Sequence, residues 1–141
     1  MAVAILWPTV LLVAHVYGVW VYMYVTRISF IRAHPPQPGD FSTSLGFMRY
    51  TEPVEMPANN LRNLFEMPVL YFALIPLLLI TGTVTGVQIA LAWGYLALRA
   101  VHSVIHIAKG PIVARFGVYV ASCVVLLAMW IGFAVDVWVA R

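Results

Sequence analysis

The chain has 141 residues, of which 63% are hydrophobic and only 9% are charged, and its mean hydropathy is +0.94. A soluble globular domain carries about 25% charged residues, so this composition excludes that class and indicates a protein of the lipid bilayer. The formal charge of +3 comes from basic residues scattered along the chain rather than from a cationic patch, so nucleic acid is not expected as a partner.

The first hydrophobic stretch covers residues 2–26, carries no charge and ends before Arg27. It lacks a basic leader and a small-residue cleavage site, and it is too long for a signal-peptide core, so we predict a retained membrane helix. Residues 27–60 are charged and rich in proline, with the run 35–40 containing three prolines and a glycine. A continuous helix cannot pass through such a run, and we predict one sizeable loop here.

The second half of the chain contains a long uncharged run, 67–98, which exceeds the length of about 20 residues that one crossing requires. Turn-forming residues interrupt it at 81–86, and Gly110 with Pro111 marks a further reversal. The sequence therefore predicts a single all-α integral membrane domain over residues 1–141, a four-transmembrane-helix bundle with helices at about 2–26, 60–81, 86–108 and 111–138.

Basic residues concentrate on one side of this predicted bundle, whereas the turn around Gly82 has none. The basic residues that flank the other two connections are Arg27, Arg32, Arg49, Arg62, Lys109 and Arg115. Because loops rich in lysine and arginine face the cytoplasm, we expect both of these connections to be cytoplasmic. Four crossings then place both termini on the non-cytoplasmic side.

Polar and ionisable side chains gather near the cytoplasmic ends of the predicted helices. An ionisable group at membrane depth costs about 2.5 to 3.5 kcal/mol on insertion scales, so it should face protein, water or a ligand. Helical spacing places Asn63 and Glu66 on one face of helix two, where Arg62 could pair with Glu66. The third and fourth helices contribute Arg99, His102, Ser103, His106 and Arg115. We predict that the set binds an anionic ligand.

Two other interpretations use the same residues. The arginines could extend to lipid headgroups while the uncharged polar groups join the helices. His102 and His106, four residues apart, could also hold a metal with Glu66. No third histidine or cysteine lies nearby in sequence and Arg99 would oppose a cation, so no metal is expected. His15 stands alone in helix one and is expected to be a hydrogen-bonded packing residue.

The segment Arg62-Asn63-Leu64-Phe65-Glu66, followed by Met67-Pro68 after a polar loop, resembles the signature of the MAPEG family, the membrane-associated proteins in eicosanoid and glutathione metabolism. The stretch Arg99-Ala100-Val101-His102-Ser103 is similar to the Arg-x-x-His-Thr segment of its prostaglandin E synthase branch. Arg115 lies nine residues after His106, where that branch has its thiol-activating arginine. The resemblance covers essentially the whole chain and implies a MAPEG-like bundle.

The resemblance also implies a site, a cofactor and an assembly. Glutathione would be the cofactor, with Arg115 as the catalytic residue, and the cofactor-binding residues would be Arg62, Asn63, Glu66, Arg99, His102 and His106. A homotrimer is implied, with active sites between neighbouring subunits. We expect a divergent bacterial member of the family, located in the inner membrane.

Three positions differ from the pattern that is common in the family. Met56 rather than an arginine follows Glu55 at the start of the helix-two motif. His106 stands where many members have a tyrosine, and a histidine offers a different geometry and charge. Phe116 follows Arg115 where the prostaglandin branch has a serine.

We therefore expect a glutathione-dependent transferase or lipid-hydroperoxide reductase that acts on an apolar electrophile arriving from the bilayer. The glutathione thiol should have a pKa near the cysteine reference of about 8.5, so the enzyme must favour the thiolate. Arg115 combines a fixed positive charge with a position at a helix start, and both favour an anion. The alternative is a non-catalytic MAPEG-like membrane protein that binds a lipid or a partner through the same groove.

Overall fold

The computed structural model describes residues 2–139, and its regular structure is helical throughout that part of the chain. A 3-10 turn at Ala2–Ile5 leads into the first α-helix, and a second 3-10 turn at Glu52–Val54 lies between α2 and α3. The α-helices in chain order are α1 (Leu6–Ala33), α2 (Ser44–Thr51), α3 (Met56–Leu64), α4 (Pro68–Thr81), α5 (Gly86–Ile107) and α6 (Ile112–Val139).

Four helical segments within the described residues are long and apolar enough to cross a membrane. They are Val3–Ala33, Met56–Thr81, Gly86–Ile107 and Ile112–Val139, and the second of them consists of α3 and α4 together. The predicted fold class, an all-α bundle of four transmembrane helices, is confirmed.

Helix α1 does not end at residue 26 as the sequence suggested, but continues to Ala33. The charge of Arg27 is accommodated because its Nη2 atom donates to both carboxylate oxygens of Glu55, at 3.0 and 2.8 Å. The guanidinium also lies 5.5 Å from the centre of the Phe47 ring. With its charge paired to the loop, the arginine does not terminate the helix, which stops only before the proline run that follows His34.

The loop predicted at 27–60 is folded and rests on the end of α1. Thr43 caps α2 by accepting a hydrogen bond from the Gly46 N–H at 3.0 Å. The hydroxyl of Tyr50 donates to the carbonyl oxygen of His34, and its ring packs edge-on against Phe30 at 5.4 Å. Short helical turns and aromatic contacts therefore replace the irregular loop that the prolines suggested.

The second crossing also differs from the predicted single helix at 60–81. It begins earlier, at Met56, because Pro57 fits the first turn of a helix without losing a needed donor. It is then interrupted between Leu64 and Pro68, since a proline ring lacks an N–H and collides with the carbonyl four residues before it. At the break the backbone uses tighter bonds, such as the Phe65 N–H to the Arg62 carbonyl at 3.0 Å.

Most buried apolar side chains lie away from the loop, whereas most buried polar ones lie toward it. Near the middle of the bundle, on the side of the polar residues that is away from the loop, the rings of Tyr71 and Tyr95 stack with centroids 5.1 Å apart and 9° between their planes. The buried residues packed around them include Ile5, Leu12, Leu74, Leu78, Leu126 and Met129. At the loop end, the buried residues of α3 and α5 are mainly polar. This division places the candidate site in the half of the bundle that adjoins the loop.

The ion pair between Arg27 and Glu55 generates the first prediction. Glu55→Gln should lower the free energy of unfolding by about 1 kcal/mol, because the two side chains are 20% and 21% exposed and the pair is only partly shielded from solvent. Thermal unfolding in detergent and tryptic cleavage of the loop measure the effect. Glu52→Gln is the control, since Glu52 is exposed and makes no side-chain hydrogen bond within the described residues. Equal rates of tryptic cleavage of the loop in the two variants would contradict the stabilising role assigned to the ion pair.

Candidate functional site

One face of α5 carries a row of buried polar side chains. Spacings of three and four residues place them on the same side of the helix. Arg99 is fully buried, and the others of this group at the loop end, His102, Ser103 and His106, are at most 5% exposed. These side chains face the interior of the protomer rather than lipid.

Arg99 is the largest fully buried side chain of the described chain. Its Nη2 atom donates to the backbone carbonyl of Asn63 at 2.8 Å. A continuous helix would pair that carbonyl with the Met67 N–H, but the break before Pro68 leaves it free for the arginine. The guanidinium carbon also lies 5.7 Å from the centre of the Tyr119 ring. Arg99 therefore does not extend to the headgroups.

The remaining donors of Arg99 are not satisfied within the described residues. Its Nε and Nη1 atoms are buried and have no hydrogen-bond partner there. Within the same residues the one ion pair is that between Arg27 and Glu55, so no carboxylate bonds to Arg99. A buried guanidinium with two free nitrogens is suited to an anionic ligand.

Asn63 and the two histidines connect the three helices around Arg99. The Asn63 side-chain nitrogen lies 3.4 Å from Nδ1 of His106, which joins α3 to α5. Nδ1 of His102 lies 3.2 Å from the backbone carbonyl oxygen of Arg115, which joins α5 to α6. The two imidazole rings are 5.6 Å apart and nearly perpendicular.

Arg115 lies in the first turns of α6 and is partly buried. Its guanidinium makes no hydrogen bond or ion pair with another side chain in the described part of the protein. The next residue, Phe116, is 65% exposed and points away from the bundle interior. The free charge of Arg115 is thus available to a ligand.

Arg62 and Glu66 lie at the rim of the site rather than inside it, since both are exposed. The expected pairing between them is absent from the described residues, where Arg62 instead donates to Oδ1 of Asn59 at 3.1 Å. The reason is the break before Pro68, which takes Glu66 out of the helical register of α3.

The structure brings five of the seven predicted residues together, namely Asn63, Arg99, His102, His106 and Arg115.

Ser103 lies on the same buried face but serves a different contact. Its hydroxyl is 2.8 Å from Nε2 of His15, and the pair ties α1 to α5. This agrees with the prediction that His15 is a hydrogen-bonded packing residue.

The sequence prediction missed two tyrosines of the site. The centre of the Tyr119 ring lies 5.7 Å from the guanidinium carbon of Arg99, and Tyr95 is buried on α5 one helical turn before Arg99. The hydroxyl of Tyr95 is buried and has no hydrogen-bond partner within the described residues. Tyr95 precedes Arg99 by four residues and Tyr119 follows Arg115 by four, so the helical spacing rule could have found both.

An apolar groove adjoins the break between α3 and α4. It encloses about 510 Å³ between α1 and the second crossing. Its aromatic residues are Tyr17, Trp20, Phe65 and Phe72, and valines and leucines complete the lining. Phe65 directly precedes Glu66, so the groove and the polar site meet at one short stretch of backbone. No group of three or more potential metal-ligating side chains occurs among residues 2–139.

Taken together, the four membrane-spanning segments and the buried cationic cluster define an α-helical membrane protein with a polar site at the loop end of the bundle. The family model of the MAPEG family matches residues 5–135, nearly the whole chain, and the protein belongs to that family. The resemblance inferred from the sequence is thereby confirmed. Membership places the chain among membrane proteins of glutathione or eicosanoid metabolism. No curated protein and no solved structure matches the chain.

Proposed function

We propose that the protein is a glutathione-dependent membrane transferase or lipid-hydroperoxide reductase that acts on an apolar electrophile. The observation that carries this proposal is the environment of Arg99, whose charge is fully buried, bonds to one backbone carbonyl and has no carboxylate partner in the described residues. A carboxylate of glutathione would supply both the missing charge and acceptors for the free Nε and Nη1 atoms.

The remaining contacts to glutathione are divided between the rim and the interior. At the rim, Arg62 offers a cation for the second carboxylate, and Glu66 offers an acceptor for the amino group. In the interior, Asn63 would contact the peptide backbone of the ligand, and His102 and His106 would offer ring nitrogens. Each residue would thus face a complementary group of the tripeptide.

Arg115 would act on the thiol. A positive charge near the sulfur stabilises the thiolate over the thiol, and the start of α6 adds a favourable partial charge. In a transferase the thiolate attacks the electrophile and the leaving group departs with the electron pair. In a hydroperoxide reductase the thiolate sulfur takes the terminal oxygen of the hydroperoxide, so that an S–O bond forms as the O–O bond breaks, and the departing alkoxide takes up a proton to give the alcohol. The thiolate of a second glutathione then attacks the sulfur of this sulfenic acid, forming the disulfide and releasing hydroxide, which takes up a proton to give water.

The apolar groove would admit the second substrate. Its lining is almost wholly apolar, it opens on the outer surface of the bundle where lipid lies, and Phe65 brings it next to the polar site. A lipid hydroperoxide or another apolar electrophile could therefore reach the thiolate without crossing water.

Calorimetric titration of the detergent-purified protein tests the proposal. Glutathione and its S-methyl analogue, which lacks the thiol, should both bind, because the carboxylate contacts are the same. Arg99→Gln should weaken both by about tenfold or more, since hydrogen bonds to a charged group are lost. Arg49→Gln on α2 is the control for removing a positive charge outside the site. Binding of neither ligand by the wild-type protein would favour the non-catalytic alternative.

Replacement of Arg115 by alanine should separate binding from chemistry. Loss of the charge raises the pKa of the bound thiol, and one pKa unit corresponds to about 1.4 kcal/mol, so turnover near neutrality should fall at least about tenfold. The deficit should shrink as pH rises toward the pKa of the free thiol, because the thiolate then forms without the arginine. Glutathione affinity should change little.

The measurement for Arg115 is the rate of conjugation of a simple aromatic electrophile between about pH 6 and 9. Lys109→Ala is a matched control, because Lys109 is an exposed cation at the same turn. A wild-type rate at every pH would remove Arg115 from the mechanism.

We propose that the protein forms a homotrimer. Arg62 and Glu66 are exposed in a single protomer although they lie within the second membrane-spanning segment. Exposure of such charges to lipid would be costly, and a neighbouring copy would shield them. Native mass spectrometry in mild detergent should detect a trimer, and a spectrum of monomers alone would contradict this assembly.

We also propose that the protein lies in a bacterial inner membrane with the loop of α2 in the cytoplasm and both termini on the other side. The basic residues of the loop and of the turn at Lys109 support this orientation. Single cysteines introduced at Ser44 and at residue 141, with Cys123 replaced, can be labelled in intact cells with an impermeant reagent. Residue 141 should react before permeabilisation and residue 44 only after it, and the reverse order would overturn the orientation.

A further inference from the structure

His102 and His106 lie one turn apart on α5, but their Nδ1 atoms meet groups of opposite hydrogen-bonding character. Nδ1 of His102 faces the backbone carbonyl of Arg115 at 3.2 Å. A carbonyl oxygen can only accept, so a neutral His102 carries its proton on Nδ1. Its Nε2 atom is then an acceptor, and that atom is buried without a partner among the described residues.

The partner of His106 has the reverse effect. Its Nδ1 atom faces the side-chain nitrogen of Asn63 at 3.4 Å. An amide nitrogen can only donate, so Nδ1 must accept and a neutral His106 carries its proton on Nε2. Nε2 makes no hydrogen bond within the described chain and is not among its buried unpartnered atoms, and His106 as a whole is 5% exposed. This N–H is therefore free to donate to a bound group.

The position of Asn63 is itself fixed by the structure. Its carbonyl accepts from Arg99 at 2.8 Å, and it lies in the last turn of α3, just before the break that Pro68 causes. Arg99 thus anchors the backbone of Asn63 while the side chain reaches His106. The buried arginine and the histidine are joined through a single residue.

We propose that Asn63 is a positioning residue that holds His106 in the Nε2–H tautomer, so that His106 presents a hydrogen-bond donor to an anionic group in the site. His102, held in the opposite tautomer, presents an acceptor one turn away. That the acceptor of this hydrogen bond is a thiolate or carboxylate of glutathione rests on the proposed function. The tautomers themselves follow from contacts within the protein and do not depend on any ligand.

Nitrogen-15 NMR of histidine-labelled, ligand-free protein in detergent tests the tautomers. The spectrum is taken at about pH 8, where a histidine of ordinary pKa is neutral. The His106 signals are identified by their loss in His106→Gln. In the wild type we expect Nε2 protonated and Nδ1 unprotonated. Asn63→Asp replaces the donor by a carboxylate of the same shape, so Nδ1 should become protonated.

Asn59→Asp is the matched control, because it makes the same change one turn earlier on α3, where the side chain contacts Arg62 and not His106. It should leave the His106 spectrum unchanged. A wild-type spectrum with Nδ1 protonated would overturn the proposal, and so would an Asn63→Asp spectrum identical to the wild type. The wild-type result decides the matter even if Asn63→Asp does not fold.

Titration with glutathione then tests whether glutathione accepts the hydrogen bond from His106. His106→Phe removes the donor, whereas the side-chain amide of His106→Gln can still donate from a similar position. Glutathione should therefore bind His106→Phe about tenfold more weakly than His106→Gln. Equal affinities would show that the N–H does not contact the ligand. If the wild type binds no glutathione, the proposed function fails while the NMR result for the tautomers still stands.

Discussion

A guanidinium placed wholly inside a membrane bundle needs acceptors, and the hydrogen bond from Arg99 to the Asn63 carbonyl, the one that it makes within the described residues, is the contact on which the site depends. It exists because Pro68 prevents α3 from continuing into α4, which frees a carbonyl that an unbroken helix would use itself. In a bilayer, freed backbone groups must be satisfied by neighbouring side chains. The arginine meets that requirement and is fixed in place by it.

The loop contributes a second constraint, independent of the first. Arg27 and Glu55 hold the segment before α3 against the end of α1, and Thr51 adds a hydrogen bond to the same carboxylate at 3.2 Å. The start of the second crossing is therefore fixed by the loop, and Arg99 holds the carbonyl that the break before Pro68 frees. Between these two points lies α3, which carries Asn63 and the rim residues of the site.

The sequence was sufficient to predict the four-helix bundle, because uncharged runs and turn-forming residues are strong local signals. It also identified the polar face of α5, since spacings of three and four residues are preserved in any helix. It was insufficient where distant residues decide the outcome. The extension of α1 past Arg27 depends on Glu55, which lies 28 residues later. The break before Pro68 was not predicted, and the carbonyl that it frees is bonded by Arg99, which lies 36 residues after Asn63. The prediction that Arg62 pairs with Glu66 was wrong because it assumed an unbroken helix.

The break between α3 and α4 has one more consequence. Residues 63–65, where α3 ends, border both regions, since Asn63 contacts Arg99 and His106 of the polar cluster while Leu64 and Phe65 line the apolar groove. Three residues of backbone therefore form the shared wall of two compartments with opposite chemistry. Because packed interiors transmit small displacements rather than absorbing them, a bulkier occupant of the groove would shift the carbonyl that Arg99 holds. The range of apolar molecules that the groove can admit is thus limited by the geometry that the polar compartment requires.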